Sequence, residues 1–140
     1  TYKKYCSDIT RTFIVGPPSE KQNTIYETVL EASAVALPEI RESAKGIDID
    51  RIARDIIMKA GYGEDFIHSL GHGVGLEVHE PPSLSKRSRD TLCVGNVVSN
   101  EPGIYVKGFG GVRIEDTVLV TSSGPERLTN FETSLDAMRV

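Results

Sequence analysis

His68-Ser69-Leu70-Gly71-His72-Gly73-Val74-Gly75-Leu76-Glu77-Val78-His79-Glu80 holds all three histidines of the 140-residue chain, interleaved with three glycines. A histidine binds a metal, takes up a proton near neutral pH, or hydrogen-bonds an anion. Glycine permits positive φ and lets the backbone approach a ligand closely. One isolated histidine is most simply a satisfied buried imidazole. Three in so short a stretch, with none elsewhere, point to a site.

Two helical patterns lie upstream. Ser19 stands as an N-cap, with Glu20 and Glu27 early in the helix where acids suit its dipole. Ile25, Val29, Leu30, Ala32, Ala36 and Leu37 keep a helical period, Pro38 should kink or end it, and Gly46 closes the segment. A second helix is expected from Asp48 through Ile52, Ala53, Ile56, Ile57 and Ala60 to Gly61-Tyr62-Gly63, a C-terminal cap signal. Both read as amphipathic covers for a sheet, without chemistry of their own. Tyr2 to Val15, rich in Tyr, Thr, Ile, Phe and Val, reads as a strand interrupted by Asp8 and stopped by Gly16-Pro17-Pro18.

Downstream, Glu80-Pro81-Pro82-Ser83 reads as a loop, and the basic run Ser85 to Asp90 as solvated surface. Val94 to Ser99 is expected as a strand ending in Asn100-Glu101-Pro102-Gly103, with Ile104-Tyr105-Val106 continuing it. After the glycine turn at Gly108 to Gly111, Val112 to Thr121 gives the clearest strand pattern of the chain. The tail from Ser122 is polar and turn-like, with one helical turn near Leu135.

At this length the chain is a single domain. A formal net charge of −4 supplies no basic footprint for nucleic acid. No apolar run approaches the roughly 18 residues of a membrane span, and the N-terminus has no signal-peptide core. Cys6 and Cys93 lie far apart; the sequence leaves a single disulfide open, with two reduced thiols of a cytoplasmic protein the favoured reading.

Asp8, Glu101 and Glu115 sit in apolar, strand-like surroundings, where an unpartnered carboxylate is costly. Arg113, two residues from Glu115 on the same strand face, could serve one of them. Three carboxylates with histidine more naturally share divalent metal, and such oxygen-rich sets suit manganese, cobalt, iron or zinc. Two metals about 3.5–4 Å apart can hold a bridging hydroxide, a nucleophile near neutral pH. Competing chemistries are weaker. Ser69 stands where a helical zinc protease carries glutamate between its histidines, and Ser69, Ser99 and Cys93 lack a nucleophile-elbow setting. The glycine turn does not open a helix, so it is a poor phosphate loop.

Four segments together resemble the pita-bread metallopeptidases, in the Xaa-Pro aminopeptidase and prolidase branch. They are Tyr5-Cys-Ser-Asp-Ile-Thr-Arg-Thr12, Gly71-His-Gly-Val-Gly-Leu-Glu-Val-His-Glu-Pro81, Asn100-Glu-Pro-Gly-Ile-Tyr105 and Gly111-Val-Arg-Ile-Glu-Asp-Thr-Val118. The methionine aminopeptidase branch shares the second but not usually the last two in these forms. The resemblance implies an α+β fold: the C-terminal portion of a pita-bread (creatinase/aminopeptidase-like) fold, with a curved, mostly antiparallel sheet covered by two helices. It implies a dinuclear site bridged by Asp8 and Glu115, with His72 and Glu101 completing one metal. Glu101 would shuttle the proton, and His68 and His79 would orient the substrate and stabilise the tetrahedral intermediate. Arg113 and Thr10 would hold the ligands in place.

One departure qualifies this. The family pattern carries a further aspartate ahead of Asp8, in an Asp-x-Gly segment that falls before Thr1, and Lys4 replaces a usual glycine. Residues 1–140 are therefore expected to be a partial catalytic domain holding zero or one of the two metals (Mn2+ or Co2+ first, Zn2+ or Fe2+ next). The expected substrate is a peptide with proline in second position, cleaved at its N-terminal Xaa-Pro bond, and the resemblance allows a homodimer. The rival expectation is a pita-bread domain that binds peptide or protein without catalysis. A metal-free relative acting on a guanidino substrate would not need Asp8, His72, Glu101 and Glu115 at once.

Overall fold

Ser19 opens helix α1 (Glu20–Ala36) with a capping box. Its hydroxyl accepts the Gln22 N–H at 3.3 Å, while the Gln22 side chain accepts the Ser19 N–H at 2.8 Å. In the computed structural model, which describes residues 1–140, Pro38 ends this helix in a 3-10 turn, Leu37–Glu39. Helix α2 runs Gly46–Lys59. Gly46 opens this helix instead of closing the segment before it. A Cβ there would lie 2.1 Å from the Ser83 carbonyl, so glycine lets the first turn of α2 press against the neighbouring strand.

The strands are β1 (Gly71–Gly73), β2 (Glu80–Leu84), β3 (Val97–Asn100), β4 (Gly103–Val106), β5 (Gly110–Arg113), β6 (Asp116–Thr121) and β7 (Gly124–Arg127). Five form an antiparallel sheet in the order β2-β1-β3-β6-β7, with Gly73 opposite Val98 and Val98 opposite Val118. β4 and β5 form a separate antiparallel hairpin, Gly103 opposite Arg113. One core joins the layers: Ile25, Val29 and Ala32 of α1, Ile49, Ala53 and Ile57 of α2, and Val98, Val118 and Val120 of the sheet are all buried. The two helices over a mainly antiparallel sheet are those the resemblance implies.

Several local expectations are corrected. Tyr2 to Val15 is extended but forms only isolated bridges, chiefly Thr10 with Glu115 and Ile14 with Arg139. Lys3 and Lys4 take positive φ, and Tyr2, Tyr5, Ile9, Phe13 and Val15 remain exposed; the strand-like composition has no continuous ladder to join. The pattern from Val112 to Thr121 is split between two sheets. At the break, the Ile114 N–H reaches the Pro102 carbonyl and the Glu115 N–H the Thr10 carbonyl. Glu80 to Ser83 is the start of β2 and not a loop, and the polar tail contributes β7, whose register is set by the tight turn at Ser122 and Ser123, which places Gly124 opposite Thr121. The helical turn near Leu135 is present at Asp136–Met138. No helix is long and apolar enough to cross a membrane.

Candidate metal centre

The acids sit at strand ends and breaks, not inside strands. Glu101 follows β3, where its N–H donates to the Leu70 carbonyl at 2.8 Å. Glu115 occupies the break between β5 and β6, bridged to Thr10. Asp8 is anchored beside β6 by Thr117, whose hydroxyl donates to the Asp8 carbonyl at 2.6 Å. His72 lies in β1, and its N–H donates to the Ser99 hydroxyl at 3.0 Å. Gly71 and Gly73 flank it without positive φ. Their role is close packing: a Cβ would stand 2.0 Å from the Ser99 carbonyl at one and 2.4 Å from that of Pro81 at the other.

These elements bring the four expected ligands together. Donor atoms of Asp8, His72 and Glu115 lie within 4.8 Å of one another. The His72 Nε2 is 3.1 Å from Glu101 Oε1 and 3.9 Å from Asp8 Oδ2. The Gly73 carbonyl lies 3.0 Å from His72 Nδ1 and so fixes that nitrogen as the N–H, aiming Nε2 at the carboxylates. No lysine or arginine forms an ion pair with Asp8, Glu101 or Glu115.

The titration of the group reflects that crowding. Burial pulls the His72 pKa down, but the Glu101 hydrogen bond, the Gly73 carbonyl and the charges of Glu101 and Asp8 outweigh it and hold the value above 6.5. Burial pushes Glu101 up, yet hydrogen bonds from His72 and Ser99 and the nearby histidine charges leave it below 4.5. Glu115 is raised, first by burial and then by the charges of Glu101 and Asp8, against the Thr10 hydrogen bond and Arg113. A clustered carboxylate set of this kind, with one oriented imidazole, fits a divalent cation, and its donor chemistry suits manganese, cobalt, iron or zinc.

The supporting residues form a chain. Thr10 donates its hydroxyl to Glu115 and accepts from Arg113 Nε at 3.2 Å. Arg113 Nη1 donates to the Tyr105 hydroxyl at 3.3 Å, and that hydroxyl lies 2.8 Å from His68 Nε2. Arg113 thus supports Glu115 through Thr10 and makes no ion pair with it. Its guanidinium loses some basicity to burial, outweighed by Tyr105 and the carboxylates, which hold it protonated. His68 stays outside the carboxylate cluster, with Nδ1 2.7 Å from the Ser69 carbonyl. His79 is exposed, its ring 4.0 Å from that of His72. Tyr105 and Ser99 carry no role in the sequence reading. Tyr105 is marked only by its place after Asn100-Glu101-Pro102-Gly103, and Ser99, which donates to Glu101 at 3.0 Å, by nothing. A cavity of about 430 Å³ opens beside His68, among Arg54, Phe66, Lys86 and Arg87.

With this geometry in place, the likenesses are specific. Residues 1–122 match the model of metallopeptidase family M24. The chain is similar to an Xaa-Pro dipeptidase of Pyrococcus furiosus, at 54% identity over 134 residues, 96% of this chain and 38% of that protein. It is also similar to the solved structure of an Xaa-Pro dipeptidase from Bacillus anthracis, with a TM-score of 0.95 at 50% identity over 99% of this chain and 39% of the other. An X-Pro aminopeptidase structure from Thermotoga maritima gives 0.92 at 45% identity, covering 96% and 38%. The chain thus spans about 38% of the length of the curated relatives it matches.

Proposed function

We propose, because this chain belongs to metallopeptidase family M24, that the whole protein is a metal-dependent exopeptidase that hydrolyses the Xaa-Pro bond at the N-terminus of peptides. The observation that carries this is the convergence of Asp8, His72, Glu101 and Glu115, with no lysine or arginine forming an ion pair with the acids. A divalent pair held there would supply Lewis acidity toward the scissile carbonyl and a nucleophilic hydroxide near neutral pH. Asp8 and Glu115 would be shared by both ions, and His72 and Glu101 would complete one. The second position has no further ligand of its own within this chain, so residues 1–140 are proposed to hold zero or one ion.

The remaining steps belong to this chain's side chains. Glu101, kept ionised and oriented by Ser99, accepts the proton of the attacking water and returns it to the leaving prolyl nitrogen. His68 and His79 flank the cluster and meet the substrate carbonyl and the charge that develops on it. Thr10 and Arg113 hold Glu115 in place. We assign the protein to the cytoplasm, where Cys6 and Cys93 stay free thiols as they are here.

The test is hydrolysis by the full-length protein, stripped with chelator and reloaded separately with manganese, cobalt and zinc. Expected is metal-restored cleavage of an Xaa-Pro dipeptide, a longer Xaa-Pro peptide, or both, which separates dipeptidase from aminopeptidase. Metal uptake without cleavage of either, but with saturable peptide binding, would instead establish the non-catalytic binding domain.

A further inference from the structure

Helix α2 carries a buried ion pair whose remaining hydrogen bonds end on the backbone that presents His68. The Asp50 side chain is 1% exposed and that of Arg54 13%. The guanidinium grips both Asp50 oxygens at 2.9 Å. It also donates from Nη1 to the Phe66 carbonyl and from Nη2 to the His68 carbonyl, both at 2.8 Å, and lies over the Phe66 ring, 4.0 Å from its centroid. Asp50 Oδ1 accepts the Leu70 N–H at 3.0 Å. Two side chains one helical turn apart therefore hold alternate backbone groups of a stretch that belongs to no helix or strand. The sequence reading gives α2 no such role.

A buried pair of this kind is weak evidence for stability, because desolvation offsets much of the attraction. Its geometric effect is stronger. Arginine's planar fork satisfies a carboxylate and two carbonyls at once, which the single ammonium of lysine cannot. The held stretch directs the His68 ring edge-on to Phe66, at 5.1 Å and 88°, with Nε2 on the Tyr105 hydroxyl. We propose that Arg54 and Asp50 are positioning residues that hold the Phe66–Leu70 backbone so that His68 faces the reacting substrate. This rests on the peptidase reading, and it adds to that reading a buried pair that is not part of the carboxylate cluster.

The test uses the full-length protein with Arg54→Lys, His68→Ala and the double variant. A misplacement of about 1 Å can lower turnover about a hundredfold. Arg54→Lys is expected to lower kcat toward that extent with less effect on KM and unchanged metal content, and to cost nothing more once His68 is alanine. The ring 15N resonances of His68 should shift in Arg54→Lys. Independent, multiplying losses in the double variant, or unchanged kcat and unchanged His68 resonances in Arg54→Lys, would overturn the proposal. Where Arg54→Lys fails to fold, the pair replacement Asp50→Leu with Arg54→Met, of a kind often neutral for stability, carries the same measurements. Failure of both to fold would assign the pair to stability alone and overturn the positioning role. If the wild-type protein cleaves no Xaa-Pro peptide, the peptidase reading fails, and the His68 resonances still report whether the clamp acts on that ring.

Discussion

Glu115 and Asp116 are neighbours in sequence, both buried at 2% and 4% exposure, and they are met by opposite environments. Adjacent side chains of extended backbone point to opposite faces. Asp116 turns toward the tail, where Arg11 donates at 2.6 Å, Arg127 stands at 3.5 Å and the Thr129 hydroxyl donates as well. Glu115 turns toward Asp8 and His72, and its side chain receives only the Thr10 hydroxyl. Burial of either carboxylate is costly. Where cations answer it, the acid fastens the fold; Arg11 also ties the Thr10, Glu115, Phe131 and Glu132 carbonyls together. Where no lysine or arginine pairs with it directly, the acid is available to an ion from outside.

The sharpest way to break this contrast is to remove Asp116. Asp116→Ala leaves the Arg11 side chain, 5% exposed, without its partner, and breaking a buried pair costs about 3–5 kcal/mol. A denaturant midpoint that stays at the wild-type value would put Asp116 in the same class as Glu115. The next largest effect concerns the two neighbouring imidazoles, tilted 43° to each other. The His72 side chain is 12% exposed and faces the acids, while His79 is exposed beside it. In the full-length protein His79→Ala should leave metal content intact and lower turnover on an Xaa-Pro peptide by about a hundredfold or more, the loss of a donor worth roughly 2.7–4 kcal/mol. His72→Ala should instead reduce metal uptake itself. Elemental analysis alongside kinetics decides it, and loss of metal in His79→Ala would collapse the distinction.

The same contrast explains what was legible in the sequence. Glu115 stands out because an acid inside an apolar strand pattern needs a reason, and the histidine stretch supplies one. The helices are legible from period and capping, since Ser19, Gln22 and the apolar stripe are local. Asp116 and Arg11 are not, because their pairing joins residues far apart in the chain. Nor is the break at Ile114, where unbroken strand composition is overruled by hydrogen bonds to Pro102 and Thr10. The clamp on α2 escapes for a similar reason. Asp50 and Arg54 look like an ordinary exposed helical pair at i, i+4, and only their burial against Phe66 and His68 makes them more.

A smaller effect appears on the Glu115 side of the contrast, as a dependence on pH. The proposed metal binding would need His72 and Glu115 deprotonated, and both are held above their ordinary values, 6.5 and 4.5. Affinity should therefore rise with pH until the raised His72 value is passed, by about tenfold, or roughly 1.4 kcal/mol, per pH unit for each proton released. The metal-free protein should move the other way. A raised folded-state pKa at His72 contributes stability that is fully present below 6.5 and lost as pH rises through the folded value. Calorimetric metal titrations and urea denaturation across that window measure both, and a metal affinity independent of pH would mean the protons are not where this geometry puts them.

The smallest effect is the most direct comparison of the two neighbours. Burial, reinforced by Glu101 and Asp8, raises the Glu115 pKa above 4.5, so the native site prefers this side chain neutral. A group raised in this way contributes stability that is complete below 4.5 and lost as pH rises through its folded value. At neutral pH the ionised side chain therefore carries a penalty that glutamine lacks, and glutamine keeps an oxygen able to accept from Thr10. Glu115→Gln in the metal-stripped protein should be as stable as wild type or slightly more so, by less than the ~1 kcal/mol that an average substitution costs. Any advantage should vanish below pH 4.5, where both side chains are neutral. The same variant should take up less metal in a titration, since it has lost an anionic ligand. Asp116→Asn, by contrast, should lose stability at neutral pH, because it removes the charge that answers Arg11. Guanidinium denaturation of both variants on either side of pH 4.5 compares them directly. A large stability loss in Glu115→Gln would show that this acid, too, is held by the fold and not kept for an ion.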